Sequence, residues 1–584
     1  MPPHPQPPQH PQYAPTQPLA SMQQLRDSAR RLGQLKGRQV DAAALRELRS
    51  LIGAPGAGGG HRRDLLIEFL HRLNDHYRCL YPRHLAALAH DMRLGMAEVY
   101  EVASFYHHFE ILADDQVPAG VTLRVCDGLS CELAGARELL HGVRAGLGEG
   151  QRVLAVPCIG RCEQAPAAQV GQCSFGHARA AELIAAAASA AQGAVVARGG
   201  PEFTGYQAYR AAGGYALVRA LAAGELEPEA VIDALERSGL RGLGGAGFPA
   251  GRKWRILRAQ AAPRLLAVNI DEGEPGTFKD RTGLERDPHR FLEGMLVAAQ
   301  VTGVEACTIY LRDEYHECRA LLHGELALLQ ADPPGPLPRI ELRRGAGAYI
   351  CGEESAMIES IEGRRGEPRQ RPPYVAEVGL FGRPTLEHNF ETLHWVRDIV
   401  ERGPDWYAGF GRHGRSGLRS FSVSGRVRLP GVKLAPAGIT LQELVDEHCG
   451  GMAPGHTLYA YLPGGASGGI LPAHLNQIPL DFDTLQPYGC FIGSGAIIVL
   501  GQQDRARDAA LNMLRFFAQE SCGQCTPCRV GTVKVAALLE AERWDNPTLD
   551  DLNQVMQDAS ICGLGQAAPN PVRSVQKYFA HEIR

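Results

Sequence analysis

Four cysteines near the carboxyl end of this 584-residue chain have spacings typical of metal ligands. Cys522, Cys525 and Cys528 form C-x2-C-x2-C, and Cys562 follows 34 positions after Cys528. Three thiolates spaced by two residues can wrap one face of a cubane cluster, which a remote fourth thiolate completes. A structural zinc site is the alternative, although such sites usually present two separated C-x2-C pairs. The pattern therefore favours a 4Fe-4S cluster.

A second set of four cysteines lies in the first third of the chain. Cys126 and Cys131 are spaced C-x4-C, and Cys158 and Cys162 are spaced C-x3-C. Each pair follows a predicted strand, so two loops at one end of a βαβ unit can bring four thiolates together. The arrangement favours a 2Fe-2S cluster, with zinc on the same thiolates as the alternative, whereas disulfide frameworks are typical of small secreted domains.

A glycine-dense loop, RGLGGAGFPAGRKW, contains a literal G-x-G-x-x-G at Gly242, Gly244 and Gly247. This motif marks a Rossmann turn only where it follows a strand and opens a helix. Here the preceding VIDALERSGL has helical periodicity and Pro249 follows at once, so we do not predict a true Rossmann fold. The loop still lets backbone N–H groups approach an anionic or flat ligand, with Lys253 able to meet a phosphate.

Two further segments carry polar groups that need a ligand or solvent. The predicted strand LLAV is followed by Asn269, Asp271, Glu272 and Glu274. Hydrogen bonds to ribityl or ribose hydroxyls and to a heteroaromatic ring edge would satisfy these side chains, and a solvated acidic turn is the alternative. A third glycine-rich turn, GAGAYICGEES, ends in Glu353 and Glu354 at the start of a helical pattern, where carboxylates are common in most proteins.

The elements that position these groups predict an α/β multidomain chain, and the length is consistent with roughly four domains. Periodicity and composition predict the following divisions: a proline-rich disordered tail over 1–20, a helical bundle over 21–115, a βαβ-type unit over 116–196, an α/β domain over 206–418, a unit resembling a ubiquitin-like β-grasp insert over 419–503 and a helical domain over 504–584. We place the boundary between the second and third of the folded units near Ala197.

Composition and charge exclude several classes of function. The chain is 45% hydrophobic and 21% charged, as in ordinary globular proteins. Sixty basic against 64 acidic residues leave a formal net charge of -4, so there is no electrostatic reason to expect binding to nucleic acid or anionic lipid. No stretch approaches the roughly 18 apolar residues of a membrane helix. Fifteen cysteines, the clustered ones at metal spacing, favour a reducing compartment, and we expect a cytoplasmic protein.

Five segments, in this order, resemble the FMN- and NADH-binding flavoprotein subunit of respiratory NADH:quinone oxidoreductase, complex I. They are GLGGAGFPAGRKW, NIDEGEPGTFKDR, GAGAYICGEESAMIESIEGRRGEPRQRPPY, PTLEHNFETL and ESCGQCTPCRVG. Residues 60–195, with SFYHHF and the second cysteine set, resemble the thioredoxin-like 2Fe-2S subunit that is a separate chain there. A chain that fuses both is similar to the large diaphorase subunit of cytosolic NAD-reducing nickel-iron hydrogenases. NAD-dependent formate dehydrogenase and complex I remain the alternatives.

The resemblance implies four cofactors: FMN, NAD, a 2Fe-2S cluster and a 4Fe-4S cluster. It implies FMN contacts at Gly242, Gly244, Lys253, Asn269, Asp271, Glu272, Gly352, Glu353, Asn389 and Thr392. It implies NAD contacts at Phe248, Glu274, Glu354, Arg371 and Tyr374. Gly245, Gly247, Tyr349 and His388 complete the expected cofactor-binding set, and Glu353 and Glu354 are the candidate catalytic residues. The sequence departs from the family pattern at Leu243, Ile256, Arg371 and His388, where an arginine, an aromatic residue, a lysine and an asparagine are usual.

The resemblance also implies a reaction and partners. NADH would pass a hydride to FMN, and the reduced flavin would give electrons singly to the 4Fe-4S cluster, with the 2Fe-2S cluster as a side site. The implied partners are an iron-sulfur diaphorase small subunit and the hydrogenase large and small subunits, without nucleic acid or membrane insertion. Two readings of another class stay open: a non-catalytic iron-sulfur relay or scaffold, and a zinc-stabilised nucleotide-binding protein.

Overall fold

The structure, a computed structural model, describes residues 39–56, 59–148, 150–192 and 202–584. The predictions for the tail over 1–20, for the first residues of the bundle and for a boundary near Ala197 lie outside these ranges. Within them, no helix combines the length and the apolar character that crossing a membrane requires.

In the part of the amino-terminal bundle that the structure describes, the helices are Ala42–Ile52, Leu66–Tyr77, Pro82–Met92 and Met96–Phe105. In the second helix the apolar residues recur every three or four positions, so that one face is buried. The described residues of the bundle do not form a separate core. Its buried leucines belong to one hydrophobic cluster with residues of the middle of the chain, such as Met357, and of the carboxyl-terminal helices, such as Phe517.

The next domain is a four-stranded sheet with helices against it. Its strands are β1 (Val121–Cys126), β2 (Gln151–Val156), β3 (Ala168–Val170) and β4 (Cys173–Phe175), in the order β2-β1-β3-β4. β1 and β2 are parallel, and β3 and β4 add antiparallel strands. The helices are Leu129–Leu133, Ala136–Gly146 and Ala180–Ala191. The predicted βαβ unit is present, and both cysteine pairs lie at the carboxyl ends of its parallel strands.

A four-stranded parallel sheet forms the centre of the molecule. Its strands are β5 (Arg264–Ile270), β6 (Val304–Leu311), β7 (Arg339–Arg344) and β8 (Thr385–Asn389), in the order β7-β6-β5-β8. After β5 the chain adds β6 and then β7 on one side of the sheet. The last strand, β8, pairs with the other side of β5. Ligands bind outside the carboxyl ends of parallel strands where the strand order reverses, which here is between β5 and β8.

Helices surround this sheet. They are Tyr206–Ala211, Ala216–Ala223, Pro228–Ser238, Ala250–Arg258, Lys279–Leu284, Pro288–Thr302, His316–Ala331, Glu354–Ile361, Phe390–His394, Val396–Arg402 and Pro404–Ala408. The glycine-dense loop joins the helix ending at Ser238 to the one starting at Ala250, with a β-bridge between Arg241 and Pro249. Because no strand precedes this loop, it is not a Rossmann turn, as the sequence predicts.

A mixed five-stranded sheet follows. Its strands are β9 (Leu418–Gly425), β10 (Gly431–Pro436), β11 (Leu458–Leu462), β12 (Leu471–Pro472) and β13 (Ala496–Gly501), in the order β10-β9-β13-β11-β12. The first and last strands of the sheet in sequence, β9 and β13, lie side by side and parallel, and the other pairs are antiparallel. A short helix, Leu441–Glu443, continues as a π-helical turn over Leu444–His448.

The chain closes with a helical domain, as its periodicity predicts. The helices are Ala506–Glu520, Thr526–Leu539, Asn546–Ala559, Gly563–Ala567 and Asn570–Tyr578. Short 3-10 helices elsewhere are Arg63–Leu65, Cys162–Gln164, Tyr349–Gly352, Leu380–Gly382, Ala466–Gly468, Ala473–Leu475, Gln486–Tyr488 and Ala580–Glu582.

Candidate functional site

An open cleft of about 1010 Å³ lies at the carboxyl ends of β5 and β8. Its volume is at the upper end of the range for ligand sites, about 300–1,000 Å³, so it has room for more than one flat ligand. The predicted site residues that line it are Gly242, Gly244, Gly245, Phe248, Lys253, Asn269, Asp271, Glu272, Glu274, Tyr349, Gly352, Glu353, Glu354, Arg371, His388 and Asn389. Segments that are far apart in the sequence thus meet at one place.

Three residues of the predicted set do not line the cleft. The Thr392 hydroxyl accepts a hydrogen bond from the backbone N–H of Leu243 at 2.9 Å, so it supports the glycine loop from behind. Gly247 has a φ of 67° and packs against Phe482. Tyr374 is 56% exposed on the surface. Thr392 and Gly247 therefore shape the site without lining it.

The glycines let four segments of the site approach closely in two pairs: the glycine loop with the end of β8, and the third glycine-rich turn with the loop after β5. A Cβ added at Gly244 would lie 2.9 Å from the Cβ of Asn389, and one added at Gly352 would lie 3.1 Å from the carbonyl oxygen of Asp271. At 2.9 Å something must shift, and at 3.1 Å the neighbour must give by a few tenths of an ångström. Gly242, Gly244, Gly245 and Gly352 also line the cleft, so part of its wall is a cradle of glycine backbone, which suits a flat heteroaromatic ring.

We expect Gly244→Ala to lower the flavin content of the purified protein, because the added methyl must push Asn389 or the glycine loop out of place. Overpacking of this kind costs about 1–3 kcal/mol. The measurement is the ratio of flavin to protein after desalting. Gly324→Ala is the matched control, since a Cβ there meets nothing within 4 Å. Equal flavin retention in both variants would show that the contact between the two loops is not needed.

Three carboxylates follow β5, and two of them accept hydrogen bonds from other groups of the protein. Glu272 accepts hydrogen bonds from the backbone N–H groups of Asp280 at 2.8 Å and Arg281 at 3.1 Å, and from the Tyr315 hydroxyl at 2.8 Å. Burial, reinforced by the Asp280 charge, raises the pKa of Glu272 to about 7. Glu274 accepts from the backbone N–H and the hydroxyl of Ser467 at 2.8 and 2.6 Å. These two side chains hold loops together.

Asp271 is different, because its Oδ2 atom is buried without a hydrogen-bond partner. Burial raises the pKa of Asp271 well above its usual value. A buried acceptor without a partner costs free energy unless a ligand or water satisfies it. Together with the glycine cradle, this atom shows that the residues present fit a ligand that carries hydroxyl donors, as the ribityl chain of FMN does.

The two adjacent glutamates at the third glycine-rich turn have separate contacts. Glu353 is the N-cap of the helix Glu354–Ile361, where its Oε2 atom accepts from the backbone N–H groups of Ser355 at 3.0 Å and Ala356 at 2.9 Å. Arg371 forms ion pairs with both glutamates, at 2.9 Å from the Oε1 atom of Glu354. Glu353 is therefore partly a structural residue, while Glu354 takes no part in the cap.

Sequence reasoning misses four charged residues of the cleft: Lys279, Asp280, Glu387 and Asp558. Lys279 is buried and pairs with Asp280 at 2.9 Å. Glu387 lies 3.6 Å from Lys253, and burial raises the pKa of Glu387 to about 7. Glu387 could have been found from the alternation of side chains along a strand. Residues i and i+2 share a face, and Asn389 belongs to the predicted set.

The second cysteine set forms a buried group between two domains. All four thiols are buried, and the sulfurs of Cys158 and Cys162 are 3.3 Å apart. Their loop packs against the buried ring of Phe278, in the loop after β5. Within the described ranges, the one group of three possible ligands whose donor atoms all lie within 4.8 Å of one another is His71, His108 and Asp313.

Each set supplies four cysteine thiols, which is the donor set that iron-sulfur clusters take, so the residues present fit such a cluster.

The carboxyl-terminal cysteine set, Cys522, Cys525, Cys528 and Cys562, lies at the edge of the cleft. Cys528 is in the first turn of the helix Thr526–Leu539, and Cys562 directly precedes the helix Gly563–Ala567. Gly563 and Leu564 line the cleft beside the glutamates. Helix amino-terminal ends favour anionic groups such as a thiolate-bound cluster.

A ligand cleft at the carboxyl ends of parallel strands, with a set of four cysteines in each of two other domains, is the arrangement of an iron-sulfur flavoprotein. Comparisons with known families agree with this class. Residues 235–398 match the Nuo51 FMN-binding domain, residues 508–584 match the NADH-ubiquinone oxidoreductase-F iron-sulfur binding region, and residues 56–190 match the thioredoxin-like [2Fe-2S] ferredoxin.

Individual relatives identify the family. The chain is 41% identical over 392 residues to the F 2 subunit of NADH-quinone oxidoreductase of Rhizobium meliloti (strain 1021), a match that covers 64% of this chain and 92% of the relative. It is 39% identical over 376 residues to the mitochondrial NADH-ubiquinone oxidoreductase 51 kDa subunit of Neurospora crassa, covering 60% of this chain and 76% of the relative. The chain belongs to this 51 kDa-type flavoprotein family of NADH-quinone oxidoreductases.

A solved structure extends the similarity to the amino-terminal domains. A chain of a NAD+-reducing [NiFe]-hydrogenase in the H2-reduced state superposes with a TM-score of 0.78 at 32% identity, covering 90% of this chain and 93% of that one. The air-oxidized state gives a TM-score of 0.77 at 33% identity, covering 89% and 94%. The predicted fusion of the two modules, the FMN and iron-sulfur cofactors and the NAD-dependent oxidoreductase class are thereby confirmed.

Proposed function

We propose that this chain is the diaphorase subunit of a NAD-reducing hydrogenase complex. The observation that carries this proposal is coverage: the hydrogenase chain aligns with 90% of this chain, whereas the Rhizobium meliloti relative aligns with 64%. The additional similarity lies in the helical bundle and the thioredoxin-like domain. A corresponding role in complex I is the second candidate, supported by the higher identity to the NADH-quinone oxidoreductase relatives, and a formate dehydrogenase complex is the third.

The cleft residues have separate tasks in this proposal. FMN, when bound, supplies the exchange of a hydride with NAD(H) and of single electrons with the clusters. Gly242, Gly244 and Gly352 let the ring lie against backbone, and the free Oδ2 atom of Asp271 accepts from a ribityl hydroxyl. Lys253 is the cation available to the phosphate. Phe248, which is 41% exposed at the rim, and the Glu354–Arg371 pair are the proposed contacts of NAD(H), together with Tyr374.

The cysteine sets would carry electrons on from the flavin. Cys522, Cys525, Cys528 and Cys562 are the proposed ligands of the 4Fe-4S cluster, because residues next to Cys562 line the cleft. Cys126, Cys131, Cys158 and Cys162 are the proposed ligands of the 2Fe-2S cluster. We further propose that the sheet β9–β13 is a ubiquitin-like β-grasp insert, supported by its adjacent parallel first and last strands.

A cytoplasmic location is part of the proposal. None of the fifteen cysteines forms a disulfide, as is usual in reducing compartments. The expected partners are an iron-sulfur diaphorase small subunit and the two hydrogenase subunits.

The partner assignment is tested by purifying the native complex through a tag on this chain. NAD+ reduction is then assayed with H2, with formate and, in reverse, with NADH and a quinone. Reduction by H2 is the expected result, and formate- or quinone-dependent turnover without H2 activity would replace the hydrogenase assignment. NADH should reduce an artificial acceptor through the isolated holo-subunit in every case, because the flavin and nucleotide sites lie in one chain.

A further inference from the structure

We propose that Arg312 connects the flavin cleft to the 2Fe-2S site, and that its buried charge favours the reduced state of that cluster. Arg312 follows β6 and is 5% exposed. The inference rests on the proposed function for one point, the assignment of Cys158 as a cluster ligand. It concerns a residue that the sequence patterns did not single out.

The guanidinium group of Arg312 donates hydrogen bonds to both sites. The NH2 group donates to the carbonyl oxygen of Cys158 at 2.8 Å, and the NH1 group donates to the carbonyl oxygen of Glu272. Glu272 belongs to the wall of the cleft, so one side chain bridges the cluster loop and the flavin site. The Nε atom donates to the Oε2 atom of Glu314 at 3.0 Å.

Neighbouring side chains make the same connection rigid. Arg281 donates from Nε to the carbonyl oxygen of Gly160 at 2.9 Å. The Tyr315 hydroxyl, which donates to Glu272, occupies the place where a Cβ on Gly160 would stand. Arg281 forms ion pairs with two carboxylates, those of Glu163 and Glu285, whereas Arg312 forms one with Glu314. Arg312 is thus the less neutralised of the two cations at this loop.

The expected electrostatic effect follows from the change of charge on reduction. Reduction of the cluster adds one electron and breaks no bond, so the negative charge of the cluster and its thiolates increases by one. A buried positive charge stabilises that product, because interactions between charges are strong where water is excluded. Loss of the Arg312 charge should make the cluster harder to reduce, and loss of the Glu314 charge should make it easier.

Glu314 is ionised in this arrangement, so replacing it with an uncharged residue removes a negative charge near the cluster. Burial alone would raise the pKa of Glu314, but the charge and the hydrogen bond of Arg312 outweigh burial and hold the pKa below its usual value. Arg312 and Glu314 therefore form a buried pair whose members can be neutralised one at a time, with opposite expected effects on the cluster.

The experiment is an EPR-monitored redox titration of the purified holo-subunit, with dithionite as the reductant and mediator dyes. We expect Arg312→Gln to lower the equilibrium constant for reduction of the 2Fe-2S cluster at least tenfold, which is about 59 mV toward more negative potential. Arg312→Lys should restore most of the potential, and Glu314→Gln should shift it in the positive direction. Arg343→Gln is the control, since Arg343 is equally buried but pairs with Asp64 of the bundle and with Glu341 of β7.

The cluster potential should shift in opposite directions in Arg312→Gln and Glu314→Gln, so each variant is a separate test. If the Arg312→Gln protein does not retain the cluster, the sign of the change in reduction potential in Glu314→Gln tests the proposal instead. An unchanged or more negative potential in a cluster-replete Glu314→Gln protein would overturn the electrostatic role of Arg312. Because dithionite reduces the cluster without NADH, a failure of the proposed function appears separately, as a flavin that NADH does not reduce.

Discussion

Replacing Cys525 by alanine should leave about two acid-labile sulfides per chain, whereas replacing Cys158 should leave about four, against about six in the parent protein. A 4Fe-4S cluster contributes four sulfides and a 2Fe-2S cluster contributes two, and each substitution removes one of four ligands from one site. The two sites lie in different domains, so each loss should leave the other cluster and the flavin in place. Sulfide and iron analysis of the purified variants, with EPR of the reduced proteins, gives the measurement.

Cys173→Ala is the control for these substitutions. Cys173 lies in β4 of the domain that holds Cys158, outside either metal spacing. This variant should keep all of the sulfide. Stoichiometric zinc without sulfide in the parent protein, or six sulfides in both ligand variants, would contradict the assignment of the two cysteine sets.

The features that could be predicted from the sequence are those that depend on neighbours along the chain. Cysteine spacing limits which metals a loop can hold, and the position of a pair after a strand places it at the carboxyl edge of a sheet. The glycine motif shows the same dependence on local context. The helical period of residues 231–240 is enough to reject a Rossmann turn, and the structure has the helix Pro228–Ser238 there.

The features that could not be predicted depend on contacts between distant segments. The sequence places Glu272 among the ligand contacts, but it cannot show that the backbone of residues 280 and 281 and the Tyr315 hydroxyl already engage its carboxylate. Nor can periodicity reveal that the amino-terminal bundle shares one core with the carboxyl-terminal helices. Arg312 is the clearest case, because its two carbonyl partners are 154 and 40 positions away.

The same contacts determine which glutamate of the third glycine-rich turn is the more informative to replace. Glu353 accepts two backbone hydrogen bonds at the start of a helix, and loss of an N-cap costs about 0.5–2 kcal/mol of stability. A change at Glu353 would therefore combine a folding effect with a binding effect. Glu354 lines the cleft, is 23% exposed and takes no part in the cap, so its replacement reports on the ligand.

Glu354→Gln should weaken the binding of NADH and NAD+ while the protein keeps its yellow flavin and both clusters. Glutamine preserves the volume of the side chain, and Arg371 keeps its ion pair with Glu353, so the fold of the turn is retained. Loss of a charge-assisted hydrogen bond to the nucleotide should cost about 1.5–3 kcal/mol, or about 10- to 150-fold in affinity. Glu359→Gln is the matched control, because Glu359 lies in the same helix and pairs with Arg364 and Arg369. Titration of the flavin absorbance with NADH gives the measurement, and parent-like affinity and rate in a flavin-replete Glu354→Gln protein would remove Glu354 from the nucleotide site.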